Sequence, residues 1–241
     1  MNSNKSNTPL NLFFIGMVFT LVLPFIASCG KTETTVTPTT NTQLQVVNLS
    51  TDLLPVNLYI NLRKRDLQYR YPTPSGYFSL AAFDTLFQIR RVVTGNNNSS
   101  VNEISIDTTL KSNVKYTLFI TGFKATNTIS HIFISDTSAA PISGRGKVRF
   151  VNATAGNNIF NVTANGTPVF TNQKYKDVSK FVEVPAGMYN FKIYDQSSTT
   201  TILSELPNIT VLDGKLYTLY CRGIVGRTDT AAFGMGILNN K

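Results

Sequence analysis

Residues 45–61, QVVNLSTDLLPVNLYIN, and residues 149–165, RFVNATAGNNIFNVTAN, match at a constant offset of 104 positions. Val47 falls on Val151, Asn48 on Asn152, Ser50 on Thr154, Asn57 on Asn161 and Asn61 on Asn165. The same offset pairs Tyr71 with Tyr175, Ser75 with Ser179, Tyr77 with Phe181, Leu80 with Val184, Phe87 with Phe191 and Ile89 with Ile193. Near the end of each copy it becomes 101, where YTLFITG (Tyr116 to Gly122) meets YTLYCRG (Tyr217 to Gly223). One register held over about forty-five residues marks a tandem duplication. The fold must therefore be one that a segment of fewer than about a hundred residues can complete, twice.

Within each copy the dominant period is two, the period of a strand with one apolar face. In PVNLYIN, Val56, Leu58 and Ile60 alternate with Asn57, Tyr59 and Asn61; in YNFKIY, Tyr189, Phe191 and Ile193 alternate with Asn190, Lys192 and Tyr194. Turn signals recur at Pro72 to Gly76, Thr94 to Ser100, Asn165-Gly166, Pro185-Ala186-Gly187 and Asp213-Gly214. No stretch after the N-terminal region carries a helical period. The pattern predicts an all-β chain of two tandem immunoglobulin-like β-sandwich domains, at 44–136 and 148–241, joined by a linker at 137–147.

The N-terminus sets the compartment. Lys5 precedes an apolar run from Leu10 to Ile26, broken by Pro24 and followed by Ala27-Ser28-Cys29. A charged start, an apolar middle and a small-residue end form a secretory signal, and the run is at the short limit for a span. Ile26-Ala27-Ser28-Cys29 resembles the bacterial lipobox. That resemblance implies a signal peptide at 1–28 and Cys29 as the first residue of the mature chain, carrying acyl groups such as palmitate. Several chains at about 0.8 kcal/mol per buried methylene would make a stable anchor. The Thr-rich segment at 29–43 has too little apolar content to fold and predicts a flexible tether. Together these place the protein on the outer membrane, at its periplasmic face or the cell surface.

Once the repeat is in view, VRFVNATAG, NVTANGTPVFTNQKYKDVSKFVEVPAGMYNFKIYD and LDGKLYTLYCRG resemble the family known as domain of unknown function 4397, here in a lipoprotein of Bacteroidota type. The resemblance implies tandem β-sandwiches in secreted or envelope-attached proteins and brings no catalytic motif. The second copy fits across its length. The first departs, with SLAAFDTLF in place of the Pro-Gly hairpin and NLRKRDL where the turn glycine belongs.

Little chemistry is spelled out. The one histidine, His131, lies outside any Gly-X-Ser-X-Gly or metal-spaced pattern. Cys221 aligns with Ile120 and reads as a small core residue. No cofactor or metal is expected, and the chain reads as a non-enzyme. A hydrolase with paired carboxylates at the domain junction is the alternative from a different class, and a passive spacer is a third. The net charge of +9 has no long basic run behind it, so in an envelope protein it points to glycan, lipid headgroup or envelope-protein partners, not nucleic acid. Tyr69 and Arg70, between strands and without aromatic counterparts in the second copy, are the expected ligand contacts. Asp84-Thr85-Leu86, Asp107-Thr108-Thr109 and Asp229-Thr230-Ala231 match an O-glycosylation pattern, which makes Thr85, Thr108 and Thr230 expected acceptors. The Asn-X-Ser/Thr triplets at Asn152, Asn161 and Asn165 read instead as marks of the repeat.

Overall fold

The computed structural model describes residues 41–53, 55–81, 85–92 and 100–240. Residues 29–40 of the expected tether, Cys29 among them, and Asp84 lie outside them; Gln43, the last tether residue, opens the first strand. Among the described residues the chain is all strand and turn, and each copy contributes eight strands. The first copy holds β1 (Gln43–Asn48), β2 (Val56–Ile60), β3 (Arg63–Tyr69), β4 (Phe78–Ser79), β5 (Leu86–Val92), β6 (Ser100–Asp107), β7 (Lys115–Thr121) and β8 (Ser130–Ser135). The second holds β9 (Arg145–Asn152), β10 (Phe160–Ala164), β11 (Thr167–Gln173), β12 (Val182–Pro185), β13 (Gly187–Asp195), β14 (Ile202–Val211), β15 (Leu216–Arg222) and β16 (Gly234–Asn239).

The duplication seen in the sequence is reproduced strand for strand. The sheets β4-β1-β7-β8 and β3-β2-β5-β6 of the first copy have counterparts in β12-β9-β15-β16 and β11-β10-β13-β14. In each copy the opening strand runs parallel to the penultimate one, β1 with β7 and β9 with β15. The first sandwich core is built on Leu44, Val46, Leu58, Phe87, Ile89, Leu118 and Ile120. The second is built on Val148, Phe150, Phe160, Val162, Phe191, Ile193 and Leu219, with Cys221 among them.

A third apolar cluster joins the copies. Val47, Leu49, Phe119 and Ile132 pack with Val151, Ala153, Tyr220 and Leu238. They come from β1, β7 and β8 of one copy and β9, β15 and β16 of the other, with Leu49 and Ala153 just past β1 and β9, on the faces that point away from the two sandwich cores, so the central sheets are buried on both sides. The result is a stack of four sheets. Both copies belong to one compact unit, Pro38–Lys241. Cross-copy bonds fix their orientation: Asn240, bonded to Leu216 at the start of β15, donates to Tyr77 Oη (3.0 Å) beside the start of β1, and Arg222 Nη1 donates to Tyr71 Oη (3.2 Å) at the end of β15. β1 and β9 therefore run in the same direction, related by an approximate two-fold along the strands. β9 begins at Arg145, so the connection is shorter than the 137–147 linker expected from composition.

The repeated asparagines tie strands to loops. Asn48 and Asn152, both fully buried, each accept a backbone N–H two residues on, from Ser50 and Thr154 (3.1 Å in both). Their amides donate to the carbonyls of Leu53 (2.9 Å) and Gln173 (3.1 Å). Asn165-Gly166 forms the β10–β11 hairpin with positive φ at both residues, 49° and 83°. The first copy keeps this turn without the glycine: Asn61 and Leu62 stand at φ 47° and 67°. Left-handed backbone costs a residue with a Cβ about 1–2 kcal/mol, and Leu62 is 63% exposed, with little packing to offset it. Leu62→Gly should therefore raise stability by about 0.5–1 kcal/mol after the entropy that glycine adds to the unfolded chain. A urea midpoint that rises with an unchanged slope is the expected readout.

Candidate functional site

Two polar constellations stand out from the strand framework. One is buried between the copies and the other lies on the outer face of the second.

Asp136 and Arg149 are the two charged residues buried among the described ones. Asp136 follows β8 and Arg149 lies on the junction-facing side of β9. Arg149 Nη2 pairs with Asp136 Oδ1 and Nη1 donates to the Ser135 carbonyl (2.7 Å). Asp136 Oδ2 also accepts from Thr117 Oγ1 (2.6 Å) and Tyr77 Oη (2.7 Å). On the other side, Arg149 Nε donates to Thr218 Oγ1 (2.9 Å), Thr218 donates to Asn240 Oδ1 (2.7 Å), and Asn240 Nδ2 closes the circuit on Tyr77 Oη (3.0 Å). The arrangement obeys the repeat, with Gln45, Tyr77, Thr117 and Asp136 corresponding to Arg149, Phe181, Thr218 and Asn240. Gln45 Nε2 donates to Thr117 (2.9 Å) as Arg149 donates to Thr218. Burial pushes the Asp136 carboxyl above the usual carboxylate range, with Arg149 and the hydroxyl donors pulling against it. Burial and the neighbouring carboxylate likewise push the Tyr77 hydroxyl upward. This network ties the copies together and presents no free group to a substrate.

The outer face of the β11-β10-β13-β14 sheet is open. Val162 and Ile193 point into the core, so their neighbours Asn161, Thr163 and Tyr194 point outward, with Asn161 directly opposite Tyr194 on the ladder. Together with Thr171, Ser198 and Thr199 they line a hollow of about 250 Å³. Asn161 Oδ1 accepts the backbone N–H of Asn172 (2.9 Å), a left-handed residue at φ 57°, and this pins β11 beside the hollow. Asp195 holds the rim: its Oδ1 accepts from Ser197 N (3.0 Å) and Ser197 Oγ (2.6 Å), bonds that draw the carboxyl below its usual range. Thr163 Oγ1 is buried and has no partner in the chain.

The same position in the first copy is occupied by the chain's own side chains. Arg90 replaces Tyr194, Tyr59 replaces Thr163, and the guanidinium lies 4.3 Å over the Tyr59 ring while bonding Gln88. One copy therefore presents an aromatic ring among hydroxyls and amides, with Lys192, opposite Thr163, held by Glu205 (3.7 Å) beside the hollow, and the other covers its ring with a cation.

The structure redistributes the sequence-derived candidates. Tyr69 belongs to the first core at 2% exposure, and burial pushes its hydroxyl up to about 12, which corrects the expectation of an exposed ring. Its repeat partner is Gln173, and it does not lie between strands as expected but closes β3, opposite Val56 on the ladder with β2. Arg70 is exposed beside Gln68 (3.4 Å). Thr85 and Thr108 are neighbours, Thr108 N bonding Thr85 O (3.0 Å), and Thr230 is exposed. Tyr69 and Arg70 line one hollow of about 240 Å³ with Leu67, Thr73 and Ser75, and the three threonines are not part of its lining. Cys221 is fully buried, and burial pushes its thiol up to about 11. His131 is half-buried, and burial together with Lys176 holds its imidazole below the usual range. No group of three or more metal-ligating side chains occurs among the described residues. Asn161 was visible in the sequence only as a repeat mark and Tyr194 only as an outward position of an alternating strand. Their facing across β10 and β13 was the missing signal.

Fold and site define a duplicated eight-stranded β-sandwich unit with a neutral polar hollow on one outer sheet. The chain belongs to the family described as Domain of unknown function (DUF4397), whose pattern matches twice, over residues 42–159 and 146–235. No curated protein matches the sequence. Among solved structures it is similar at 15% identity and a TM-score of 0.20 to CBMbc, a family CBM26 module from Eubacterium rectale Amy13K solved with maltoheptaose. That likeness covers 81% of this chain and 96% of the other. It is also similar at 11% identity and a TM-score of 0.19 to the Bacillus anthracis TIE protein, covering 82% of this chain and 43% of that one. At these scores neither likeness bears on fold or ligand.

Proposed function

We propose that the protein is an envelope lipoprotein, held on the outer membrane by acyl groups on Cys29, whose duplicated unit recognises a neutral glycan without catalysing a reaction. The hollow on the second copy carries this reading. Sugar rings offer an apolar face and a rim of hydroxyls, and Tyr194 supplies a ring beside Asn161, Thr163 and Thr171. An unpartnered buried hydroxyl at Thr163 costs stability unless a ligand completes it. The volume suits about one sugar ring, with a chain running on along the sheet.

The test is a glycan array followed by calorimetry on the hits, using the intact protein and Tyr194→Ala. Binding of uncharged oligosaccharides is expected, weakened at least about tenfold by Tyr194→Ala, the loss of one buried aromatic contact. Affinity that is indifferent to Tyr194, or confined to acidic sugars, would remove the hollow from consideration. The anchor is tested separately: Cys29→Ala should abolish acyl labelling and membrane fractionation.

A further inference from the structure

The described chain begins at Asn41, and the neighbouring Thr42 is bonded through Oγ1 to the Lys111 carbonyl (2.9 Å). This fixes which end of the four-sheet stack the N-terminal segment enters. Because β1 and β9 run the same way, the start of β9 lies at that end too. Around it are gathered the turn at Asp213, whose carboxylate accepts from Gly144 N (2.9 Å), and the hairpin at Ala186, whose N–H bonds Gly144 O (2.8 Å). Ile142, Met188 and Leu212 belong to these three turns, and they are 63%, 63% and 51% exposed. In the first copy the β2–β3 turn reaches the same end, Asn61 N bonding Leu86 O (2.8 Å), and presents Leu62, also 63% exposed. The far end exposes less, with Leu67, Val101, Val178 and Ile202 at 51%, 42%, 38% and 44%.

Leu62 is the informative member. The other copy uses glycine at this left-handed position, and leucine there is strained without being packed. A residue that breaks a local rule with no gain inside the fold points to a use outside it.

We propose that this end of the stack rests on the lipid surface, with Leu62, Ile142, Met188 and Leu212 dipping into the headgroup region. The proposal rests on the lipoprotein reading and adds an orientation to it. From Cys29 to Asn41 the chain spans roughly 40 Å at full extension, so the tether keeps this end within reach of the bilayer. Basic side chains outnumber acidic ones around the turns: Arg63, Lys64, Lys111, Arg145 and Lys215 stand against Asp107, Glu183 and Asp213. The four apolar side chains make the contact on neutral lipid, so neither anionic lipid nor low salt should be required for it, and the basic excess should strengthen it where anionic lipid is present. It would direct the Tyr194 face sideways and leave the loops around Asn157 and Ser197 farthest from the membrane.

Full-length lipidated protein in phosphatidylcholine vesicles containing spin-labelled lipid tests the orientation. A fluorophore is placed in turn on Leu62→Cys, Met188→Cys and Asn157→Cys; the buried Cys221 stays unlabelled. Emission at 62 and 188 should be quenched by about half, and at 157 by less than about a tenth, at low and high salt alike. Leu62→Gly should weaken quenching at 188 while stabilising the fold. Equal quenching at all three positions, with acyl mass present on Cys29, would overturn the orientation and leave the anchor standing. Quenching that appears only with anionic lipid and disappears in salt would overturn the apolar contact. A chain without acyl mass on Cys29 would overturn the lipoprotein reading and this proposal with it.

Discussion

Asp136→Asn and Arg149→Met are each expected to cost about 3–5 kcal/mol of unfolding free energy, because each strands the opposite member of a buried ion pair. Sterically Asp136→Asn is mild, since the second copy carries Asn240 at the equivalent position. The loss is electrostatic: Arg149 would keep its charge in the junction with neutral acceptors alone, the Ser135 carbonyl, the Thr218 hydroxyl and the amide oxygen of the new asparagine. The repeat supplies the compensating change. Arg149 corresponds to Gln45, which serves Thr117 in the first copy without charge. Asp136→Asn combined with Arg149→Gln would make both halves of the network neutral and chemically alike, and it should recover most of the loss. Denaturant unfolding of the two single variants, Arg149→Gln and the double variant gives the coupling energy directly. Additive losses would show that the pair contributes nothing as a pair.

The second large effect is expected at the glycines that end β7 and β15. Gly122 and Gly223 have φ of 88° and 77°, and a Cβ there would come within 2.1 Å of the Thr128 carbonyl oxygen and 2.2 Å of that of Ala232. Both opposing atoms are backbone, so no side chain can swing aside. Gly223→Ala and Gly122→Ala should each cost about 3 kcal/mol or more, combining left-handed strain with displacement of a loop. Gly214→Ala provides the control: its φ is 74°, but nothing lies within 4 Å of the added methyl. It should cost only about 1 kcal/mol. Thermal unfolding of the three variants under one condition separates strain from collision.

These glycines were legible in the sequence, as the last letters of YTLFITG and YTLYCRG, and so was the duplication that makes them equivalent. The sheet order was not legible, but the duplication required that both copies share one, as they do. What alternation concealed was the second buried face of the central strands. In QVVNL, Val46 faces a sandwich core and Val47 faces the other copy; in YTLFITG, Leu118 and Phe119 divide the same way. A continuous apolar run is the signature of a strand buried on both sides, but a single-domain reading absorbs it as noise. The Asp136–Arg149 pair was concealed for a related reason, since it joins the two copies across the segment read as a linker. Tyr69 was misplaced because its strand opens on the charged run Arg63-Lys64-Arg65-Asp66, which shows no apolar alternation, so the segment read as lying between strands; Tyr69 is the last residue of β3. The hollow at Tyr194 depends on which residues face one another across β10 and β13, and no spacing along the chain records that.

The central functional claim is that the second copy's outer sheet is a recognition surface and the first copy's is not. Amide chemical shifts of isotope-labelled protein, followed while a neutral oligosaccharide from the array is added, test it most directly. The account expects saturable shifts confined to Asn161, Thr163, Thr171, Tyr194 and the loop at Ser198, with Asn57, Tyr59 and Arg90 unmoved. Shifts centred on the first copy's face, or none at any concentration of any array hit, would contradict it.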